Sequence, residues 1–139
     1  MDIKNLIRVG LISSINPDNM TAKVIFPDKD DMLSGDLKIV NRGSAKNKCY
    51  WLPDIEEQVL CVMDPNSKNL NDGWIVGSYF SDVDAPPISD LDKCHFIFQD
   101  GSFFEYDRKN HVLTIDIKGE IDIKASGNIK INGKIIYLN

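Results

Sequence analysis

Residues 113–137 read LTIDIKGEIDIKASGNIKINGKIIY, and the spacing of their apolar side chains decides what the rest of the chain must provide. Odd positions hold Leu113, Ile115, Ile117, Ile121, Ile123, Ile129, Ile131 and Ile135, with Gly119, Ala125, Gly127 and Gly133 among them, while every even position before Ile136 is polar. Period-two alternation with β-branched residues on one face predicts strand with one dry side and one wet side. The phase never slips. A two-residue hairpin would move the apolar set from odd to even positions, so the stretch is either one winding strand or short strands joined by odd-length or bulged turns at Gly119, Gly127 and Gly133. Fully extended it would run roughly 80 Å, whereas a compact domain of this length should be about 35–40 Å across.

Such a strand cannot cover its own isoleucine row. At about 1.5–3 kcal/mol per buried Ile, leaving the row wet forfeits more than about 10 kcal/mol. Two covers are possible. Copies of the same strand around a symmetry axis would put Ile inward and the charged residues outward, in a rod without free edges. Alternatively, the chain folds back as a small antiparallel meander on the preceding domain.

Composition narrows the partners. With 16 basic and 21 acidic residues the formal charge is −5, which argues against a general nucleic-acid binder, since that needs a basic footprint. No apolar run approaches the length of a membrane-spanning helix. The N-terminus has no signal-peptide pattern. Cys49, Cys61 and Cys94 lack metal-binding spacing and read as reduced thiols.

The expected fold is all-β, an OB-like five-stranded barrel in residues 1–80, a linker in 81–93 and a hairpin neck with stalk in 94–139. Barrel strands are predicted at 6–15, 21–26, 36–40, 57–63 and 73–80. The continuous apolar run of 57–63 predicts a fully buried strand. Three aspartates in 28–34 suggest a calcium loop, but Leu33 stands where an EF-hand requires Gly, so a solvated loop is expected. The cations Arg42, Lys46 and Lys48 read as solvated surface. Pro and Asp mark the linker. Asp100-Gly101 predicts a two-residue turn that sets Phe98 opposite Phe103 and Ile97 opposite Phe104, with both hairpin faces apolar.

No enzyme is expected. Asp54, Glu56 and Glu57 sit at a turn and a strand start without distinct acid and nucleophile environments. Cys61 lies in an apolar run, and His111 has no nucleophile placed near it. Tyr50, Trp51, Trp74, Tyr79 and Phe80 would serve as stacking platforms if the barrel bound single-stranded nucleic acid. Core and subunit-contact roles suit the acidic chain better.

Three blocks together resemble a known family. Trp51-Leu52-Pro53 with Glu57-Gln58-Val59-Leu60-Cys61-Val62, then Gly73-Trp74-Ile75-Val76-Gly77-Ser78-Tyr79, are similar to the OB core of phage baseplate assembly protein V, the gpV-type tail spike. Phe98-Gln99-Asp100-Gly101-Ser102, Tyr106-Asp107-Arg108 and His111-Val112-Leu113-Thr114-Ile115 resemble the segment leading into that family's trimeric β-stalk. The resemblance implies a homotrimeric hub and central spike of a contractile phage tail or tail-like particle, with an intertwined β-helix or β-prism stalk. It thereby favours the rod over the meander. The implied trimer core is Leu113, Ile115, Ile117, Ile121, Ile123, Ile129, Ile131 and Ile135, with turns or close approaches at Gly101, Gly119, Gly127 and Gly133.

The implied partners are other copies of the chain, baseplate hub and tail-tube proteins, and the target cell's outer envelope, with no nucleic acid. The implied location is the baseplate of a virion or particle assembled in the host cytoplasm. The chain departs from the pattern twice. Glu56 stands where the family commonly has Gly, so that turn is expected to be built differently. Several relatives end in a His-x-His pair that binds iron, but His95 and His111 both precede the stalk here. Neither cofactor nor metal is therefore expected, and a separate tip protein is one way to cover the stalk's end.

Overall fold

The computed structural model describes residues 3–139, and apart from two single 3-10 turns every element in it is a strand. Contacts divide the chain into a unit through Pro86 and a unit from Pro87, a division that falls within the 81–93 segment.

The first unit is a closed five-stranded barrel. Its strands are β1 (Ile7–Asn16), β2 (Thr21–Phe26), β4 (Leu37–Ile39), β5 (Gln58–Met63) and β6 (Gly73–Ser78), paired in the order β1-β5-β6-β4-β2 and closed by β1–β2. A two-residue strand, β3 (Met32–Leu33), adds to the free side of β2. All pairings are antiparallel except β4–β6. Closure removes the exposed edges that a small sheet would otherwise present.

β1 makes closure possible. Its first half pairs with β5 and its second half with β2, and a register shift between Ile12 and Ser14 bends the strand between the two partners. Gly10 sits in the tight part of that path. A Cβ there would lie 2.4 Å from the Ile25 carbonyl oxygen and 2.5 Å from Val24 Cγ1. Inside the barrel pack Ile12, Ala22, Val24, Phe26, Leu37, Val59, Cys61, Met63, Leu70 and Ile75.

β5 corrects the expectation of a strand buried on both sides. Val59, Cys61 and Met63 are buried, but Gln58, Leu60 and Val62 alternate with them on the half-exposed outer wall. Its apolar run reflects one face in the core and one apolar patch outside, where Val62 stands between Ile7 of β1 and Trp74 of β6.

The turn before β5 places a non-glycine residue in the left-handed region. Glu56 has φ 69°, and Glu57 N–H donates to the Asp54 carbonyl at 3.1 Å. Glu56 N–H donates to the Ile12 carbonyl at 2.8 Å, and Ile12 N–H donates to the Glu57 carbonyl at 3.0 Å. These hydrogen bonds to β1 hold Glu56 there, which costs about 1–2 kcal/mol. Glu56→Gly should raise stability by up to about 1 kcal/mol after the added unfolded-state entropy is counted, seen as a higher urea midpoint at unchanged slope.

Burial also sets the thiol chemistry, pushing the Cys61 pKa up to about 12, while Cys49 and Cys94 are exposed. The raised folded value means that Cys61 favours the fold fully below the ordinary 9.0 and that this contribution is lost as pH rises towards 12. At neutral pH a thiol reagent should label two cysteines rapidly and the third only after unfolding; rapid labelling of all three would contradict the closed barrel.

The second unit begins with an antiparallel sheet of β7 (Lys93–Ile97), β8 (Phe103–Asp107) and β9 (Val112–Asp116). Its first hairpin differs by one residue from the predicted register: Ile97 faces Phe103 and Phe96 faces Phe104. Phe98 N–H donates to the Ser102 carbonyl at 2.8 Å, and Gly101 N–H donates to the Phe98 carbonyl at 3.0 Å. With Gly101 at φ 88°, the loop is the three-residue Gln99-Asp100-Gly101, a turn closed by a left-handed glycine rather than a two-residue turn. Beyond Asp116, among the described residues, no strand or bridge forms. Among the described residues, antiparallel pairing in this unit is confined to residues 93–116, so the alternative of a meander does not extend over the isoleucine row.

Candidate functional site

The one-residue register change gathers side chains that the predicted pairing kept apart. On one face of the sheet, Phe96, Phe104 and Ile115 form a cross-strand row, and Cys94, Tyr106 and Leu113 form the next. The Phe96 and Phe104 rings stack at 4.7 Å between centroids and 14° between planes. Phe98 lies diagonally against Phe104, with centroids 6.3 Å apart. Every residue of this apolar face is exposed, from Phe104 at 38% to Leu113 at 62%.

The opposite face keeps the apolar character that the sequence predicts in the pair Ile97 and Phe103, with a polar row beside it. His95 Nδ1 lies 3.0 Å from a Glu105 oxygen, and Lys93 Nζ lies 3.6 Å from the other. The imidazole stacks on Phe103 at 5.0 Å. Thr114 stands beside Glu105 on β9. Ile97 and Val112 are exposed at the two ends of this face, so both faces carry uncovered apolar side chains, with Leu113 and Ile115 on the more apolar one.

Two carboxylates hold the sheet's turns. Ser102 N–H donates to Asp100 at 2.8 Å, while Lys109 N–H at 2.9 Å and Asn110 N–H at 3.2 Å donate to Asp107. Backbone and side-chain hydrogen bonds from Ser102 draw the Asp100 pKa below the ordinary 3.8, and those from Asn110 do the same for Asp107. Depressed folded values mean that both turns are favoured above 3.8 and lose that support as pH falls through the lower folded values. In an acid titration by NMR, the Ser102, Lys109 and Asn110 amides should shift with midpoints below 3.8; midpoints at or above it would contradict these bonds.

The chain leaves β9 on a further tie. Lys118 N–H donates to Ser102 Oγ at 2.9 Å. From there the isoleucine row is open: Ile121, Ile123, Ile129, Ile131 and Ile135 are all more than half exposed, and only Ile117 is half-buried. Bends fall at 118–119, 126–127 and 134–135, eight residues apart. The sequence carries the same period, since LTIDIKGE (113–120), IDIKASGN (121–128) and IKINGKII (129–136) align with an apolar residue at the first and third positions. That eightfold repeat was the signal in the sequence, and the strict two-residue alternation masks it.

Two glycines in the repeat have no explanation within one chain. Neither Gly119 nor Gly127 has positive φ, and a Cβ on either would meet nothing within 4 Å. Gly133 has only the Ile135 carbonyl oxygen at 3.4 Å and Ile136 Cγ1 at 3.7 Å. Gly101 alone of the four singled-out glycines has a conformational reason, its left-handed φ.

Elsewhere the residues examined for chemistry serve structure. Glu57 accepts from Asp54 N–H at 3.3 Å and bonds the Ser78 hydroxyl, so it closes a turn. His111, at φ 57°, ends the β8–β9 turn. Trp74 lies under the Lys38 ammonium at 5.6 Å, and Tyr79 accepts a hydrogen bond from Gln58 at 2.7 Å. A shallow cleft of about 320 Å³ runs beside β4 and β6, bordered by Arg42, Trp51, Glu57 and Ser78. Among the described residues no group of three or more His, Cys, Asp or Glu is placed to hold a metal. No helix of the structure is long and apolar enough to cross a membrane.

No protein-family model matches this chain, and no curated protein matches it.

Proposed function

We propose that this protein is the homotrimeric hub and central spike of a contractile phage tail or tail-like particle. The observation that carries the reading is the uncovered isoleucine row at 121–135, which lacks both an apolar cover and strand partners within its own chain. Three copies wound about one axis supply both. The eight-residue repeat gives such a rod equivalent layers, and Gly119 and Gly127 leave room for a neighbouring backbone where the single chain has only open space.

The barrel fits the same assembly. Its order of pairing, with the third and fifth barrel strands parallel, is that of an OB fold. Barrels of that type host many functions, so the fold supports the hub role without deciding it. The apolar face of the β7–β8–β9 sheet provides further contact area between copies at the start of the stalk.

In this reading the chain performs no chemistry on its target. Contraction of the tail drives the particle into the cell envelope, and the rod contributes stiffness by lacking free strand edges. Baseplate and tail-tube proteins are the partners at the barrel. On the outer side of the rod, exposed ion pairs such as Lys124–Asp122 at 3.1 Å contribute about 0–1 kcal/mol each and favour register more than strength.

Light scattering during size-exclusion chromatography tests the assembly. A species near three times the 15.7 kDa chain mass is expected over a range of concentrations. Ile123→Lys should abolish it by bringing three charges to one axis, and Gly119→Val should weaken it although the single chain has room for the side chain. Lys124→Ala should leave it intact. A clean monomer would sink the spike reading and return attention to an OB-fold module binding single-stranded nucleic acid or another ligand through its exposed aromatics.

A further inference from the structure

The charge of the stalk is divided along its length. All 21 acidic side chains of the protein lie at or before Asp122, and residues 123–139 carry Lys124, Lys130 and Lys134 with no carboxylate side chain. Lys124 is paired with Asp122, but among the described residues no carboxylate side chain comes within ion-pair distance of Lys130 or Lys134. The alternation also fails in this stretch. Ile136 and Leu138 occupy even positions that are polar in every earlier part of the row, and Tyr137 between them is 85% exposed. Apolar side chains therefore point both ways, and covering the odd-numbered row leaves Ile136 and Leu138 in water.

We propose that residues 123–139 of the assembled trimer are a docking surface for an anionic lipid layer. This rests on the spike reading, which supplies the three copies, and names the envelope chemistry that the rod meets. Six lysines from three copies make this stretch positively charged, and a lipid headgroup layer complements that charge while accepting apolar side chains beneath. Tyrosine suits that boundary, with an apolar ring and a polar hydroxyl. Nucleic acid would answer the lysines but not Ile136 and Leu138. The acidic bulk of the chain is no obstacle, because charges more than about 8–10 Å from the surface are screened at physiological salt.

Co-sedimentation of the full chain with phosphatidylglycerol-containing vesicles, with light scattering on the same sample, tests the proposal. The trimer should bind these vesicles and not pure phosphatidylcholine ones, and binding should fall as salt rises. The double variant Lys130→Glu, Lys134→Glu should remain trimeric and bind about tenfold more weakly or worse. Ile136→Ser with Leu138→Ser should lower binding without changing the salt dependence, and Lys109→Glu on the β8–β9 turn should have no effect. A trimer that ignores both vesicles overturns this inference and leaves the spike reading standing. Equal binding to both vesicles, or binding to an oligonucleotide alone, also overturns it. A monomer that binds anionic vesicles would instead separate the two, overturning the trimer while retaining the lipid surface.

Discussion

An alternating strand must bury one face and pair both edges, and residues 117–139 of this chain do neither by themselves. Each exposed isoleucine forfeits about 1.5–3 kcal/mol, and each strand residue left unpaired forgoes ladder hydrogen bonds. The barrel meets the same constraint internally. β1 bends at its register shift to serve two partners, the ring closes, and alternate residues of β2 and β5 fill the interior. The segment after Asp116 has no comparable return path, because its isoleucines before Ile136 stay in phase and, among the described residues, no strand pairing forms there.

The hairpin between β7 and β8 joins the two regimes. A single left-handed glycine makes its loop three residues long, so Phe96 rather than Ile97 faces Phe104. That shift changes which side chains share a face. His95, Glu105 and Lys93 satisfy one another on one side, and the phenylalanines align with Leu113 and Ile115 on the other. The stalk's apolar row therefore begins on a folded sheet, with Ser102 tying Lys118 at the point of departure.

Polar residues of both units follow a similar economy. Glu57, Asp54 and Ser78 are engaged with one another, Asp100 and Asp107 with turn amides, and Arg8 with Asp28 at 2.8 Å and the face of Phe26. Groups tied into turns in this way are poorly disposed to transfer protons or attack a substrate.

By itself the sequence determined the all-β class, the barrel strands to within a few residues and the phase of the isoleucine row, because period-two alternation and turn residues are local signals. It also held the eight-residue repeat, concealed beneath the shorter period. Tertiary structure decided what local pattern could not. The loop length at Gly101 depended on a single backbone dihedral and moved a whole strand by one register position. The outward face of Leu60 and Val62 depended on barrel closure, since an apolar run looks alike whether one or both faces are buried. Glu56 took a glycine's conformation because two backbone hydrogen bonds to β1 outweigh its steric cost. The emptiness around Gly119 and Gly127 was likewise invisible in the sequence, because the close approach of another backbone is a property of space and not of residue order.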